Sequence, residues 1–142
     1  MRIIGLDLGS KTCGVATSDL KEILATGVKT LRFDNEDYEE ALKLVKELFY
    51  ELKADEIVIG LPRLLNGDLG EKALICQRFA EILAEDLEVP VHLWDERLTT
   101  VAATKMLVAA DVSRKKRAKV IDQIAAIYIL QGYLDAKKKE ER

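Results

Sequence analysis

The sequence predicts a mixed α/β domain: a five-stranded sheet in which three antiparallel strands are followed by two parallel ones, flanked by helices. Three observations carry this expectation. Residues 2–33 hold three strand-like runs separated by turn residues. Beyond them, apolar residues recur at three- and four-residue spacing over 38–52 and again over 71–87, the mark of amphipathic helices. Each helix leads into a short apolar run, at Glu56–Gly60 and at Val91–Trp94, and a strand, a helix and a strand in succession form a crossover whose strands are parallel.

The first strand is Ile3 to Leu8, a run too short for a helix and rich in strand formers, which reads as buried on both faces. It carries one carboxylate, Asp7. An isolated charge there is costly enough to demand a proton, a partner or a metal, although the plainer reading, in which Asp7 only accepts from the amides of its own turn, stays open. Gly9 and Gly14 bracket Ser10, Lys11, Thr12 and Cys13, a hairpin whose backbone can approach a ligand closely. The second strand follows over Cys13–Ser18 and the third over Ala25–Phe33. Asp34 and Asn35 offer turn and helix-cap chemistry before the first helix. Between Gly60 and Gly70 stand three glycines and Pro62, a loop longer than usual between a strand and a helix and therefore a candidate for function, with Arg63 in it. Val91–Trp94 runs straight into Asp95 and Glu96, so acidic residues stand at the carboxyl end of a second strand, followed by Arg97. His92, in that strand, reads as a packed core histidine.

A short helix is expected over Val101–Ala110. The polar stretch Asp111–Lys119 contains the cations Arg114, Lys115, Lys116, Arg117 and Lys119 and reads as a basic loop. It leads into a helix over Val120–Leu134, apolar almost all round, with Asp122 in its first turn and Ala125, Ala126 and Ile129 on the same face. An acid placed to favour the positive end of a helix is the plainer reading of Asp122. The domain is expected to span 1–137, with 138–142 a frayed charged tail.

Length and charge bound the function. A chain of 142 residues makes one domain that buries about two thirds of the surface its unfolded form exposes. The net charge of −3 excludes a protein that coats nucleic acid by bulk electrostatics, so any such contact must come from a local basic patch. Cys13 and Cys76 lack metal-ligand spacing and read as buried free thiols of a reducing compartment. Nothing resembles a signal peptide or an uninterrupted membrane span, so a cytoplasmic location is expected, with no membrane partner.

Central parallel strands present their carboxyl ends to one edge of an α/β sheet. Asp7, the Asp95–Glu96 pair and Asp122 are therefore expected to meet there. Three carboxylates repel one another unless a cation neutralises them, and an all-oxygen set suits Mg²⁺ or Mn²⁺ over Zn²⁺. Paired hard cations suit in-line displacement at phosphorus, and with the basic stretch nearby to hold phosphates, nucleic acid is the expected substrate.

The motifs Gly5-Leu-Asp-Leu-Gly-Ser-Lys11, Ile59-Gly-Leu-Pro62 with Gly67 and Gly70, Asp95-Glu-Arg-Leu-Thr-Thr100 and Ile121-Asp-Gln-Ile-Ala-Ala126 resemble, in order and spacing, the YqgF family. That resemblance implies an RNase H-like fold and a Mg²⁺- or Mn²⁺-dependent nuclease that matures the 5′ end of pre-16S ribosomal RNA. It maps the acidic set onto Asp7, Glu96 and Asp122, choosing Glu96 over Asp95. Lys11, Arg114, Lys115, Lys116 and Arg117 are then the expected contacts to a structured RNA, and Arg63 and Arg97 are each open to contacting its phosphates or to neutralising the acidic pair. Where many members carry Arg in the first turn, this chain has Thr12. The alternatives are a resolvase of four-way DNA junctions and a catalytically silent nucleic-acid-binding module. An actin-like ATPase would need two such lobes. The expected assembly is a monomer or a weak homodimer.

Overall fold

A computed structural model describes residues 1–64, 66–96 and 114–140, with the side chains of the last helix from Gln123 onward. The elements in chain order are β1 (Ile3–Leu8), β2 (Thr12–Ser18), β3 (Ala25–Arg32), α1 (Tyr38–Glu51), β4 (Glu56–Leu61), α2 (Glu71–Leu87), β5 (Val91–Asp95) and α3 (Arg114–Glu140). Five strands form one sheet in the order β3-β2-β1-β4-β5. β1, β2 and β3 pair antiparallel, whereas β4 and β5 add in parallel on the far side of β1. The expected mixed sheet is present, with β1 at its centre.

Strand side chains alternate between faces, and each face has its own core. Ile4, Leu6, Val15, Ile57 and Ile59 point to one side and pack with Val45 and Phe49 of α1 and Phe79 and Leu83 of α2. Ile3, Ala16, Ala25 and Val58 point to the other, against Ala125, Ala126, Ile129, Leu130 and Leu134 of α3. The molecule is thus three layers, with α3 alone among the described helices on its face. Small residues let α3 come close: a side chain on Gly5 would lie 2.7 Å from Leu130 Cβ and 3.1 Å from the Ala126 carbonyl oxygen.

Three expectations need correction. The cap of α1 is Asp37, whose carboxylate accepts from the Glu40 amide at 3.1 Å. Asp34 and Asn35 are spent on the preceding turn, where the Asp37 amide donates to the Asp34 carbonyl and Glu36, at a φ of 59°, donates to the Ser10 carbonyl. The basic stretch 114–119 is helical rather than a loop, because lysine and arginine are good helix formers whatever their charge. Asp122 therefore lies in the third turn of α3, not its first. Finally, the helix continues to Glu140, its end held by Lys137 Nζ donating to Glu22 Oε1 at 2.7 Å. The expected helix at 101–110 lies outside the described residues.

Candidate functional site

Asp7 is the penultimate residue of β1 and, by alternation with Ile3 and Gly5, belongs to the face that α3 covers. β1 and β4 pair in parallel through Leu6 and Ile59, so the next residues, Asp7 and Gly60, stand side by side about 4.8 Å apart. Glu96 follows β5 directly and returns over β4: its Oε1 lies 2.6 Å from where a Gly60 Cβ would be. The carboxylates of Asp7 and Glu96 are therefore neighbours on one face at one edge. Cys76, on the second turn of α2, senses both. Its buried thiol is pushed up to about 12, first by burial and then by the negative charges of Glu96 and Asp7, with Lys72 opposing.

The direction of α3 places Asp122. Gln131 Oε1 accepts from the Ala25 amide at 2.9 Å, at the start of β3, whereas Gln123 lies beside Gly27, two residues further along. Since β3 runs in the same sense as β1, α3 runs antiparallel to both, its early turns toward the carboxyl edge. Ala126 stands over Gly5. One helical turn earlier, Asp122 is about 6 Å nearer that edge, and Asp7, two residues beyond Gly5, is about 7 Å nearer it. The Asp122 backbone therefore reaches the level of Asp7; its side chain lies outside the described residues. Among the described residues no three histidine, cysteine or acidic side chains form a metal-holding group.

Asp95 and Glu96, inseparable by sequence position, separate by partner. Asp95 Oδ2, at the end of β5, lies 3.3 Å from Nε of Arg63 in the loop after β4, while Arg63 Nη1 donates to the Gly67 carbonyl at 3.1 Å. Of the two roles open to Arg63, phosphate contact or neutralising the acidic pair, the ion pair is the one the described residues place it in, and Arg63 also ties down its own loop. Lys11 is exposed at the β1–β2 turn. Arg97 and the side chains of Arg114, Lys115, Lys116 and Arg117 lie outside the described residues. Gly60 is the residue that sequence reasoning missed: a glycine closing a strand is visible in the sequence, but the carboxylate above it emerges only from the register.

His92 is not a core histidine. Its side chain is 40% exposed, stacked on Tyr133 with ring centroids 5.1 Å apart. Its Nε2 lies 3.3 Å from Glu56 Oε2 without the alignment of a hydrogen bond. Glu56 is buried at the start of β4. This cluster occupies the amino edge of the parallel strands, opposite Asp7 and Glu96, which rules His92 out as their general base.

The sheet order, the crossovers and the helix lying across the antiparallel strands define the RuvC type of RNase H-like fold. The solved structure of Thermus thermophilus RuvC in complex with a Holliday junction substrate superimposes with a TM-score of 0.62 over 98% of this chain and 96% of that one, at 13% identity. RuvC of the same organism in a second structure gives 0.60 over 98% and 97%. Within that class the chain belongs to the RuvX family, described as Holliday junction resolvase, which it matches over residues 1–136; this is the YqgF family expected from the motifs. Close relatives carry a different description. A Geobacillus sp. (strain WCH70) protein named "Putative pre-16S rRNA nuclease" is 51% identical over 97% of this chain and all of its own length. One of the same name from Bacillus subtilis (strain 168) is 52% identical over 96% of this chain and 99% of its own.

Proposed function

We propose that this protein is a divalent-metal-dependent nuclease that hydrolyses phosphodiester bonds in structured RNA, acting in 5′-end maturation of pre-16S ribosomal RNA in the cytoplasm. The observation that carries the proposal is the Glu96 carboxylate held over Gly60, beside Asp7, at the carboxyl edge of the parallel strands. Names shared by relatives about half identical over nearly the full length support the RNA substrate.

Asp7, Glu96 and Asp122 are the proposed metal ligands. A hard, all-oxygen donor set of this kind fits Mg²⁺ or Mn²⁺, and the space over Gly60 admits the Glu96 carboxylate without a side chain beneath it. Bound there, a pair of such cations supplies activation of a water and stabilisation of the leaving oxygen at phosphorus. The chain's own residues do the rest. Asp7 and Glu96 fix the centre from two adjacent strands, and α3 carries Asp122 in from the covering layer. Arg63 neutralises Asp95, so the second acid of the pair adds no uncompensated charge to the site. The cations of the first turns of α3, with Lys11 and Arg97, are proposed to hold substrate phosphates and so to set affinity rather than chemistry.

The family description favours a second substrate, a four-way DNA junction. Cleavage of a pre-16S RNA fragment and of a synthetic junction, each with Mg²⁺ and with Mn²⁺, decides between them: the RNA is expected to be cut and the junction left intact. Asp7→Asn is expected to abolish cleavage while the melting temperature holds or rises, because a repelling charge is removed. Full metal-dependent activity in Asp7→Asn would refute the site. Retained RNA binding without cleavage of any substrate by the unaltered protein would favour a silent binding module.

A further inference from the structure

Gly60 lies inside β4 and has no conformational need to be glycine. Among the described glycines only Gly67 has a positive φ, and glycine within a strand weakens it. What distinguishes this position is what lies above it. At Gly5 an added Cβ meets parts fixed to the helix backbone, Leu130 Cβ and the Ala126 carbonyl. At Gly60 its nearest neighbours are atoms of two side chains, Ile129 Cδ1 at 2.5 Å and Cγ1 at 3.1 Å, and Glu96 Oε1 at 2.6 Å. The fold can absorb a methyl group there by repacking the buried Ile129, at some cost in stability, without lifting the helix backbone. The site cannot, because the other neighbour is the carboxylate beside Asp7.

We propose that Gly60 is a positioning residue: its missing side chain is the space that seats the Glu96 carboxylate against Asp7. The inference rests on the reading that Asp7 and Glu96 hold the divalent cation. Ordinary contact begins at 3.4 Å, so a methyl group displaces Oε1 by at least 0.8 Å, the difference between 3.4 and 2.6. Mg²⁺ demands near-octahedral ligands at about 2.1 Å and accommodates such a shift poorly, and misplacement on the order of 1 Å in a reacting geometry costs on the order of 100-fold in rate.

The test is Gly60→Ala, with Mg²⁺ affinity by calorimetry, melting temperature and cleavage measured in parallel. Mg²⁺ affinity is expected to fall about tenfold and cleavage about 100-fold, beyond whatever melting temperature is lost to repacking Ile129. Two further substitutions separate the causes. In a Glu96→Asp background, where the carboxylate is shorter by one methylene, adding Gly60→Ala should cost much less Mg²⁺ affinity than it does in the unaltered protein. Ile129→Val, which relieves the other close approach, should restore any lost melting temperature but not the affinity. Wild-type Mg²⁺ affinity in Gly60→Ala, or recovery of affinity through Ile129→Val alone, overturns the inference. Asp7→Asn tells the two failures apart: if it too binds Mg²⁺ and cleaves normally, the metal site itself is wrong, whereas if it loses both while Gly60→Ala keeps both, only the role of Gly60 falls.

Discussion

Replacing Gly5 by alanine tests how tightly α3 is set on the central strand. The added methyl group would stand 2.7 Å from Leu130 Cβ, 3.1 Å from the Ala126 carbonyl oxygen and 3.4 Å from Leu130 Cα. None of these can rotate away, so relief requires the helix to lift by about 0.7 Å, the shortfall of 2.7 from the 3.4 Å of ordinary contact. Lifting it opens the packing of Ile129, Leu130 and Leu134, all essentially inaccessible to solvent, against Ile3 and Val58. Overpacking of this kind costs about 1 to 3 kcal/mol, and a narrower unfolded ensemble for alanine offsets only about 0.4 to 1 kcal/mol of that. For a domain of this size each kcal/mol moves the melting temperature by about 3 °C or slightly more, so a fall of about 2 to 7 °C is expected. Scanning calorimetry measures it, and urea unfolding should show a lower midpoint at unchanged slope. Gly27→Ala is the internal control, since its nearest neighbour, Gln123 Oε1 at 3.0 Å, can swing aside. A melting temperature within 1 °C of the unaltered protein for Gly5→Ala, or equal losses at Gly5 and Gly27, would refute the close seating of α3.

Cys76 gives a prediction in pH. Its thiol is held up to about 12 in the folded protein, by burial and then by Glu96 and Asp7, so the native state keeps a proton that the unfolded chain releases near 9.0. The resulting stability is fully present below pH 9 and is lost toward pH 12 by about 1.4 kcal/mol per unit; in urea titrations the gap between the unaltered protein and Cys76→Ala should shrink as pH rises, and parallel curves would contradict it. Neutralising Arg114, Lys115, Lys116 and Arg117 together should weaken RNA binding at low salt and flatten its salt dependence by up to about four counterions, as fluorescence anisotropy across a salt series would register; unchanged binding would remove the basic stretch from the interface. Asp95→Asn leaves Arg63 without its carboxylate and should loosen the Arg63–Asp68 loop, seen as faster amide exchange there, while Mg²⁺ affinity stays put; lost Mg²⁺ affinity would make Asp95 a ligand after all.

The sequence made the sheet legible because its strands are short apolar runs punctuated by glycine, and because α1 and α2 carry a clear helical period. It failed where charge hid periodicity. Residues 114–119 offer almost no apolar position to count, so no helical period shows there and Asp122 reads as a first-turn residue. The cap of α1 was ambiguous because Asp34, Asn35 and Asp37 all have the required chemistry, and only the turn geometry decides among them. Of the site, the acidic residues could be named from strand ends, but their partners could not. Asp95 closes β5 and Arg63 lies in the loop that follows β4, so their ion pair depends on β4 and β5 being neighbours. Likewise the contact between Glu96 and Gly60 depends on which strand the chain folds back over.

Gln131 has a consequence well away from its own hydrogen bonds. Its amide accepts from the Ala25 amide at 2.9 Å and donates to the Ile23 carbonyl at 2.8 Å, so one helical side chain completes the backbone pairing at the start of β3. A helix lying on a sheet by apolar contacts alone can slide along its axis at modest cost, since one methyl serves nearly as well as the next. An amide hooked to two backbone groups cannot, and a slip of one turn would carry every residue of α3 about 5.4 Å along the sheet. Gln131 therefore works as an axial stop. Asp122, nine residues earlier on the same helix, takes the height of its backbone along the sheet from this latch at the sheet's opposite end.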